Sequence, residues 1–361
     1  MNLQDWETYK EINQQPDIWR TWADDFGAKL DAIREWVAAQ DADEIWLCGA
    51  GTSAYIGDLI AAHMGADVRR IRAISTTDLV SCPQNFIRSG LNPLVISLGR
   101  SGNSTETIGT LDLLDALLPN APRLNITCNA ESVLATRGSS AAQKVIILPE
   151  KCHDAGFAMT SSYTTMLLTA LLILDETTGP DDLRQLANAA ETLLPAYFKR
   201  AAEQPQPGRV VFTGSGALAF AARESALKVM ELAAGDIPSI WDSCLGFRHG
   251  PKSFVNSKTQ VFIFLSNHAF TSQYDRDLAA EVRDQFGPNS VTTIGISNAD
   301  VLIPKQHNDA IASVLYVLLA QVLATVWSHN MGLNVDNPFD GRGTLTRVVS
   351  GVKLYAPDDL I

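Results

Sequence analysis

Leu94-Val95-Ile96-Ser97-Leu98-Gly99-Arg100-Ser101-Gly102-Asn103-Ser104-Thr105-Glu106-Thr107 runs an apolar strand into a Gly/Ser-rich turn and then into a helix start that carries an acid. Gly99 and Gly102 free the backbone for tight or left-handed conformations, so successive N–H groups can converge on one point. Ser101, Asn103, Ser104 and Thr105 add short donors, and the helix N-terminus adds its dipole. The segment therefore suits an anion such as a phosphate. It lacks the Gly-Lys-Ser/Thr of a nucleotide P-loop. The competing reading is an ordinary strand-to-helix turn in which Ser and Asn cap the helix.

A second copy of the same pattern lies further along the chain. Ile45-Trp46-Leu47-Cys48-Gly49-Ala50-Gly51-Thr52-Ser53 is matched by Val210-Val211-Phe212-Thr213-Gly214-Ser215-Gly216-Ala217-Leu218, an offset of 165 residues. Leu94–Leu98 is answered by Val261–Leu265 and Arg123–Cys128 by Val291–Ser297, and the apolar helix Met159–Leu174 by Ile311–Trp327. Continuous apolar strands alternating with helices imply parallel sheets covered on both faces. The expected fold is α/β, with two tandem doubly wound parallel sheets. Residues 1–40 form an N-terminal helical segment, 41–202 the first α/β domain and 203–335 the second. A turn-rich tail, 336–361, ends in a short strand or coil. The Pro/Gly-rich stretch Glu203–Gly208 is the linker. Ligands of such sheets bind beyond the carboxyl ends of the strands, where Gly49–Ser53 and Gly99–Ser104 would line one crevice. The second repeat reads Ser266-Asn267-His268-Ala269-Phe270-Thr271 at the matching place and lacks the paired glycines, which leaves one phosphate site per chain.

The chain has 361 residues, 46% of them hydrophobic, and a formal net charge of −12. That charge argues against a nucleic-acid or anionic-membrane partner. The stretch Ile311–Trp327 is interrupted by Ser313, Gln321 and Thr325 and reads as a buried helix rather than a span. Five scattered cysteines without a CxxC read as reduced thiols in a cytoplasmic protein. No HxxxH or HxH spacing offers a metal site. Gly-x-Gly-Thr-Ser lacks the third glycine of a dinucleotide fingerprint, and no acid follows the second strand at Ala73-Ile74-Ser75-Thr76. No cofactor is therefore expected.

Two segments of the second half carry candidate chemistry. In Arg223–Glu231, Glu224, Lys228 and Glu231 fall at i, i+4 and i+7 on one helix face, either as a functional cluster or as a solvated stripe. In Trp241–Ser253, His249 precedes Gly250-Pro251 and would be exposed on a loop, as a proton shuttle or as a surface residue.

Gly51-Thr52-Ser53, Arg100-Ser101-Gly102-Asn103-Ser104, Glu224-x-Ala-Leu-Lys228-x-x-Glu231 and His249-Gly250-Pro251 occur in the order seen in tandem sugar-isomerase (SIS, flavodoxin-like) proteins. The whole chain resembles their galactosamine-6-phosphate deaminase/isomerase branch, long named tagatose-6-phosphate ketose/aldose isomerase. The resemblance implies that Gly51, Thr52, Ser53, Arg100, Ser101, Gly102, Asn103 and Ser104 surround the phosphate and sugar hydroxyls. It places Ala158, Thr160 and Ser161 in a sugar-contacting loop. Glu231 would move a proton between C1 and C2, with Lys228 beside it, and His249 would open the ring, in its own or a neighbouring subunit. It also implies a homodimer or higher homo-oligomer. In the family's glucosamine-6-phosphate synthase, a tail lysine after Asp-x-Pro attacks the ketose carbonyl. Here Asp336-Asn337-Pro338 is followed by Arg342 and Arg347 and by no lysine before Lys353. Arginine stays protonated and forms no Schiff base. A 2-amino sugar brings its own nitrogen, so the expected reaction is deamination coupled to isomerisation of a hexosamine 6-phosphate. The alternatives are a sugar-phosphate isomerase without deamination, a glucosamine-6-phosphate deaminase-like relative, and a non-catalytic sugar-phosphate sensor.

Overall fold

The computed structural model describes residues 1–67 and 69–355. Two helices, α1 (Glu7–Asn13) and α2 (Gln15–Ala38), precede the first sheet. The first repeat contains β1 (Ile45–Gly49), α3 (Thr52–His63), β2 (Ile71–Ser75), α4 (Thr76–Ser81), β3 (Leu94–Gly99) and α5 (Thr105–Leu117). It continues through β4 (Arg123–Thr127), α6 (Val133–Thr136), β5 (Gln143–Ile147) and α7 (Ser161–Leu174). The long helix α8 (Pro180–Glu203) leads through the coil 204–208 into the second repeat. There follow β6 (Arg209–Gly214), α9 (Ala217–Leu232), β7 (Ser239–Ser243), β8 (Thr259–Phe264), α10 (Thr271–Phe286), β9 (Val291–Gly295), β10 (Val301–Leu302) and α11 (Asp309–Asn330).

Both sheets are parallel throughout and share one strand order, β2-β1-β3-β4-β5 and β7-β6-β8-β9-β10. This is the doubly wound 2-1-3-4-5 order, whose switch point lies between the first and third strands. The correspondence of the two halves extends to backbone angles. Gly51 has φ 55°, ψ −129° and Gly216 has φ 58°, ψ −128°, a region open to glycine alone. Glycine is required at Gly49 and Gly214 for a different reason, since a Cβ there would stand 2.7 Å from Ser53 C and 2.6 Å from Leu218 O.

The two halves share their core. One apolar cluster runs from Ile12 and Trp19 through Leu47, Ile96 and Leu171 to Phe212, Phe264 and Trp327. All of α7 is buried, as is α11 from Ala310 to Ser328, and both belong to this cluster. The apolar helix Asp309–Asn330 is long enough to cross a membrane, yet its apolar window is 100% buried inside the protein. Several polar groups in this core are paired across helices. Gln15 donates to Gln321 Oε1 (2.8 Å), Thr164 to Gln15 Oε1 (2.7 Å) and Trp22 Nε1 to Thr169 Oγ1 (2.8 Å). These bonds fix α2 against α7 and α11. Residues 336–355 wrap back over the first repeat without regular structure; the strand or coil expected at the extreme end falls on 356–361, outside the described residues.

Asp175, at the end of α7, joins the halves. It accepts from His63 Nε2 (2.8 Å), from the N–H and hydroxyl of Thr177 (2.9 and 2.6 Å) and from Asn308 Nδ2 (3.3 Å), which caps α11. Burial alone would raise its pKa, but the bonds from His63 and Thr177 outweigh burial and hold it well below the usual carboxylate range. A lowered native value means stability that is complete above the unfolded pKa and is lost as pH falls through the native one. Asp175→Asn should therefore lower the melting temperature at pH 7 and shrink the loss of stability on acidification from pH 5 to 3. Thermal melts across that range check this, and an acid limb identical to wild type would contradict it.

Candidate active site

A cavity of about 570 Å³ opens at the carboxyl ends of β1 and β3. Its floor is Ala50–Ser53 at the start of α3 and Leu98–Gly102 with Ser104 at the start of α5. Its walls are Phe157, Met159 and the α9 face Leu227, Met230 and Glu231. The tail covers it with Phe339 and Leu345–Val349. The two glycine loops thus form one crevice at the switch point.

The loop after β3 is built as an anion cradle. Gly102 (φ 61°) reverses the chain and packs against Ser132 and Leu134. Ser101 Oγ accepts from Asn103 N (3.3 Å), and Ser104 Oγ caps α5 by accepting from Thr107 N (3.3 Å). The N–H groups of Ser101, Gly102 and Ser104 donate to no protein acceptor among the described residues. The capping reading therefore holds for Ser104, and the loop still leaves three amides for a ligand. Arg100 is buried and donates to the carbonyls of Gly156 (3.3 Å), Phe157 (3.2 Å) and Arg347 (3.1 Å). It fastens the wall and the tail to the cradle. Burial lowers its pKa, Asp154 works against that, and Arg347 adds to it.

The face Glu224–Lys228–Glu231 is no solvated stripe. Packing of α9 against α3 buries Glu224 and Lys228 completely (0% exposed). Lys228 Nζ lies 3.1 Å from Glu224 Oε1, 2.7 Å from Glu231 Oε2 and 3.1 Å from Thr52 Oγ1. Glu231 alone of the three reaches the cavity, with 23% of its side chain exposed. Burial pushes Glu224 up to about 7 against the pull of Lys228. Burial opposes the charge on Lys228, but the two carboxylates outweigh it and raise its pKa. Two carboxyls and one ammonium in a dry seam are best accommodated with Lys228 charged and Glu224 sharing a proton. Glu231 is the one of the two carboxyl side chains that faces the cavity.

Several expected site residues stand elsewhere. The side chain of Asn103 turns away to accept from Val133 N (2.9 Å) at the start of α6. Thr52 reaches the cavity, but its hydroxyl is engaged by Lys228 and Glu224 (3.3 Å). Ala158, Thr160 and Ser161 lie fully buried behind the wall, which Phe157 and Met159 form instead. The cause is Asp154. Its carboxylate accepts from the N–H and hydroxyl groups of Thr160, Ser161 and Ser162 and caps α7. His249 is exposed on the loop after β7 and does not line the cavity of its own chain. In the second repeat the matching cradle is filled by the protein's own carboxylates. Asp275 accepts from Ser215 Oγ (2.5 Å) and Ser266 N (2.9 Å), and Asp309 accepts from Asn267 N (2.7 Å). Sequence reasoning missed Asp154 and Phe339; the resemblance placed the stretch 157–163 at a sugar-contacting loop and helix start without singling out Phe157 and Met159, the two of that stretch that line the cavity. Of the two missed residues only Asp154 had a signal, an acid shortly before a Thr-Ser-Ser helix start.

Two parallel sheets in 2-1-3-4-5 order, a Ser/Gly anion cradle and a carboxylate poised beside it define a tandem sugar-isomerase protein. Comparison with known proteins narrows the class. D-galactosamine-6-phosphate deaminase AgaS of Shewanella sp. (strain ANA-3) is 39% identical over 96% of this chain and 91% of its own length. The protein of the same name from Escherichia coli is 37% identical over 96% and 95%. The crystal structure of tagatose-6-phosphate ketose/aldose isomerase from Escherichia coli superposes with a TM-score of 0.84 at 34% identity, covering 97% of this chain and 96% of that one. No protein-family model matches the chain. The chain belongs to the galactosamine-6-phosphate deaminase/isomerase family of tandem sugar-isomerase enzymes.

Lys228→Met would leave two carboxylates in the seam without their shared cation, at a cost of about 3–5 kcal/mol. Adding Glu224→Leu should return part of that stability without restoring turnover. Denaturant unfolding and activity measured on both variants check this; a single variant as stable as wild type would contradict it.

Proposed function

We propose that the protein converts galactosamine 6-phosphate to tagatose 6-phosphate and ammonia. The observation that carries this reading is the pairing of the cradle with Glu231 in one cavity that no lysine lines among the described residues. The one lysine nearby, Lys228, is buried beneath Glu231 with its Nζ held by three oxygens. A substrate that brings its own amine suits such a cavity. The relatives' names supply the galacto configuration.

The 6-phosphate lies against the N–H groups of Ser101, Gly102 and Ser104, with Ser53 and the Ser101 hydroxyl as further donors. With the ring open, Glu231 takes the proton from C2 and leaves an enolamine. Returning a proton to C1 gives a ketimine at C2. Water adds to that carbon and ammonia departs, which leaves the ketose. His249, exposed beyond the cavity, serves as the ring-opening acid from a second copy of the chain, so the working enzyme is a homodimer or larger. All five cysteines are free thiols, and four of them are buried, which suits a cytoplasmic setting.

Ser101→Ala removes one hydrogen bond to a charged group, worth on the order of 1.5–3 kcal/mol, and should weaken substrate binding by roughly ten- to a hundredfold. Calorimetry on a Glu231→Gln background, where the substrate should bind without turnover, reads this directly; unchanged affinity would move the phosphate elsewhere. For the shared site, inactive Glu231→Gln and His249→Ala variants should regain ammonia release when refolded together as mixed oligomers. No recovery in mixtures shown to contain hybrids would return His249 to its own subunit or remove it from the reaction. N-acetylgalactosamine 6-phosphate should release no ammonia, because an amide nitrogen does not pass through the ketimine. Full isomerisation of amine-free aldose phosphates, with no ammonia from any hexosamine phosphate, would establish the plain isomerase instead.

A further inference from the structure

The cavity wall is held from outside both repeats. Glu11 of α1 is buried, and its Oε1 accepts from the N–H groups of Ala155 (2.5 Å) and Gly156 (3.1 Å). Its Oε2 is also buried and has no partner among the described residues. The fit is tight, since a Cβ at Gly156 would stand 2.5 Å from Thr8 Oγ1 on the same helix. The far side of this peptide is the active site. Arg100 of the cradle donates to the carbonyls of Gly156 and Phe157, and Phe157 lines the cavity. The tail joins at the same point. Phe157 N donates to Asp336 O (2.9 Å), and the Asp336 carboxylate accepts from Glu7 N, Thr8 N and Thr8 Oγ1. The charged groups facing Glu11 are Asp154, at the foot of α7, and Asp336 of the tail. Arg100 and His153 lie close to Asp154.

We propose that Glu11 is a positioning residue whose protonation state sets how firmly Ala155–Phe157 is held against the cavity, so that it governs substrate affinity rather than turnover. The link to affinity rests on the sugar-phosphate reading of the cavity. Protonated, Glu11 is neutral beside Asp154 and still accepts both amides through its carbonyl oxygen. Ionised, it sets a second negative charge against Asp154 in a dry pocket. Burial first, and Asp154 second, push the carboxyl up to about 7, against the two backbone bonds. A raised value in the closed state means that the hold is complete below the ordinary carboxylate pKa. It weakens as pH rises through about 7 and is level above that.

Glu11→Gln keeps the acceptor and removes the titration. The ratio of KM for galactosamine 6-phosphate, wild type over Glu11→Gln, should rise with pH between 5 and 7, by at most about tenfold per unit, and then level off. Titration of the substrate phosphate divides out of this ratio, and kcat of the two proteins should follow the same pH profile. Amide hydrogen exchange of residues 155–157 supplies a readout that needs no substrate: exchange in wild type relative to Glu11→Gln should rise over the same range. Should Glu11→Gln fail to fold, Glu11→Asp, with the charge on a shorter arm, should raise KM and keep the pH step. Superimposable KM–pH profiles, or an effect confined to kcat, would overturn the inference. If wild type released no ammonia from any hexosamine phosphate, the functional reading would fall, and the exchange ratio alone would decide: a rise supports the role of Glu11, and a flat ratio ends it.

Discussion

One ammonium group, Lys228 Nζ, sits where the two repeats meet and touches Glu224, Glu231 and Thr52 at once. Its burial is tolerable only because three oxygens replace its water. That requirement fixes α9 against the start of α3, and with it the distance between the Glu231 carboxyl and the anion cradle. Arg223, which pairs with Asp58 (2.7 Å) at the position that corresponds to it in the other repeat, holds the same seam further along. The site is therefore a product of the interface between repeats, and neither sheet could assemble it alone.

The two halves carry matching glycine loops after β1 and β6, and the loop after β3 leaves its amides open while its counterpart after β8 does not. In the second repeat, Asp275 and Asp309 occupy the donors that an anion would use. Those carboxylates brace α10 and α11, so the second half contributes rigidity and the Glu231 face. In the first repeat the corresponding amides are left free, and buried Arg100 links them to the wall and the tail. Strength of binding and closure of the cavity are thereby tied to the same few residues.

The parts of this architecture that depend on continuous burial were legible in the sequence. The central strands β1, β3, β4, β6, β8 and β9 are buried along nearly their whole length; β1, β3, β6 and β8 read as largely apolar runs, and β4 and β9 were found as their mixed counterparts at matching spacing. The edge strands β5, β7 and β10 were missed because only one of their faces packs and their residues are mixed. The glycine loops were found because their backbone angles need glycine. The Glu224–Lys228–Glu231 face was found by spacing, but spacing could not tell a solvated stripe from a buried cluster, since that depends on α3, some 170 residues away in the chain. Spacing was equally blind to the bonds that Thr160 and Ser161 make to Asp154. Hydroxyls near a substrate loop resemble ligands until Asp154 is seen to consume them. Glu11 left no local signal, because its partners are backbone amides far along the chain.

If Glu231 moves the proton on one face of the substrate while the substrate supplies the nitrogen, turnover of C2-deuterated galactosamine 6-phosphate in D2O, followed by NMR, should give equal amounts of ammonia and tagatose 6-phosphate, with one deuterium added at C1 in a single prochiral position. Deuterium distributed over both positions, or a ketose formed without ammonia, would contradict that mechanism.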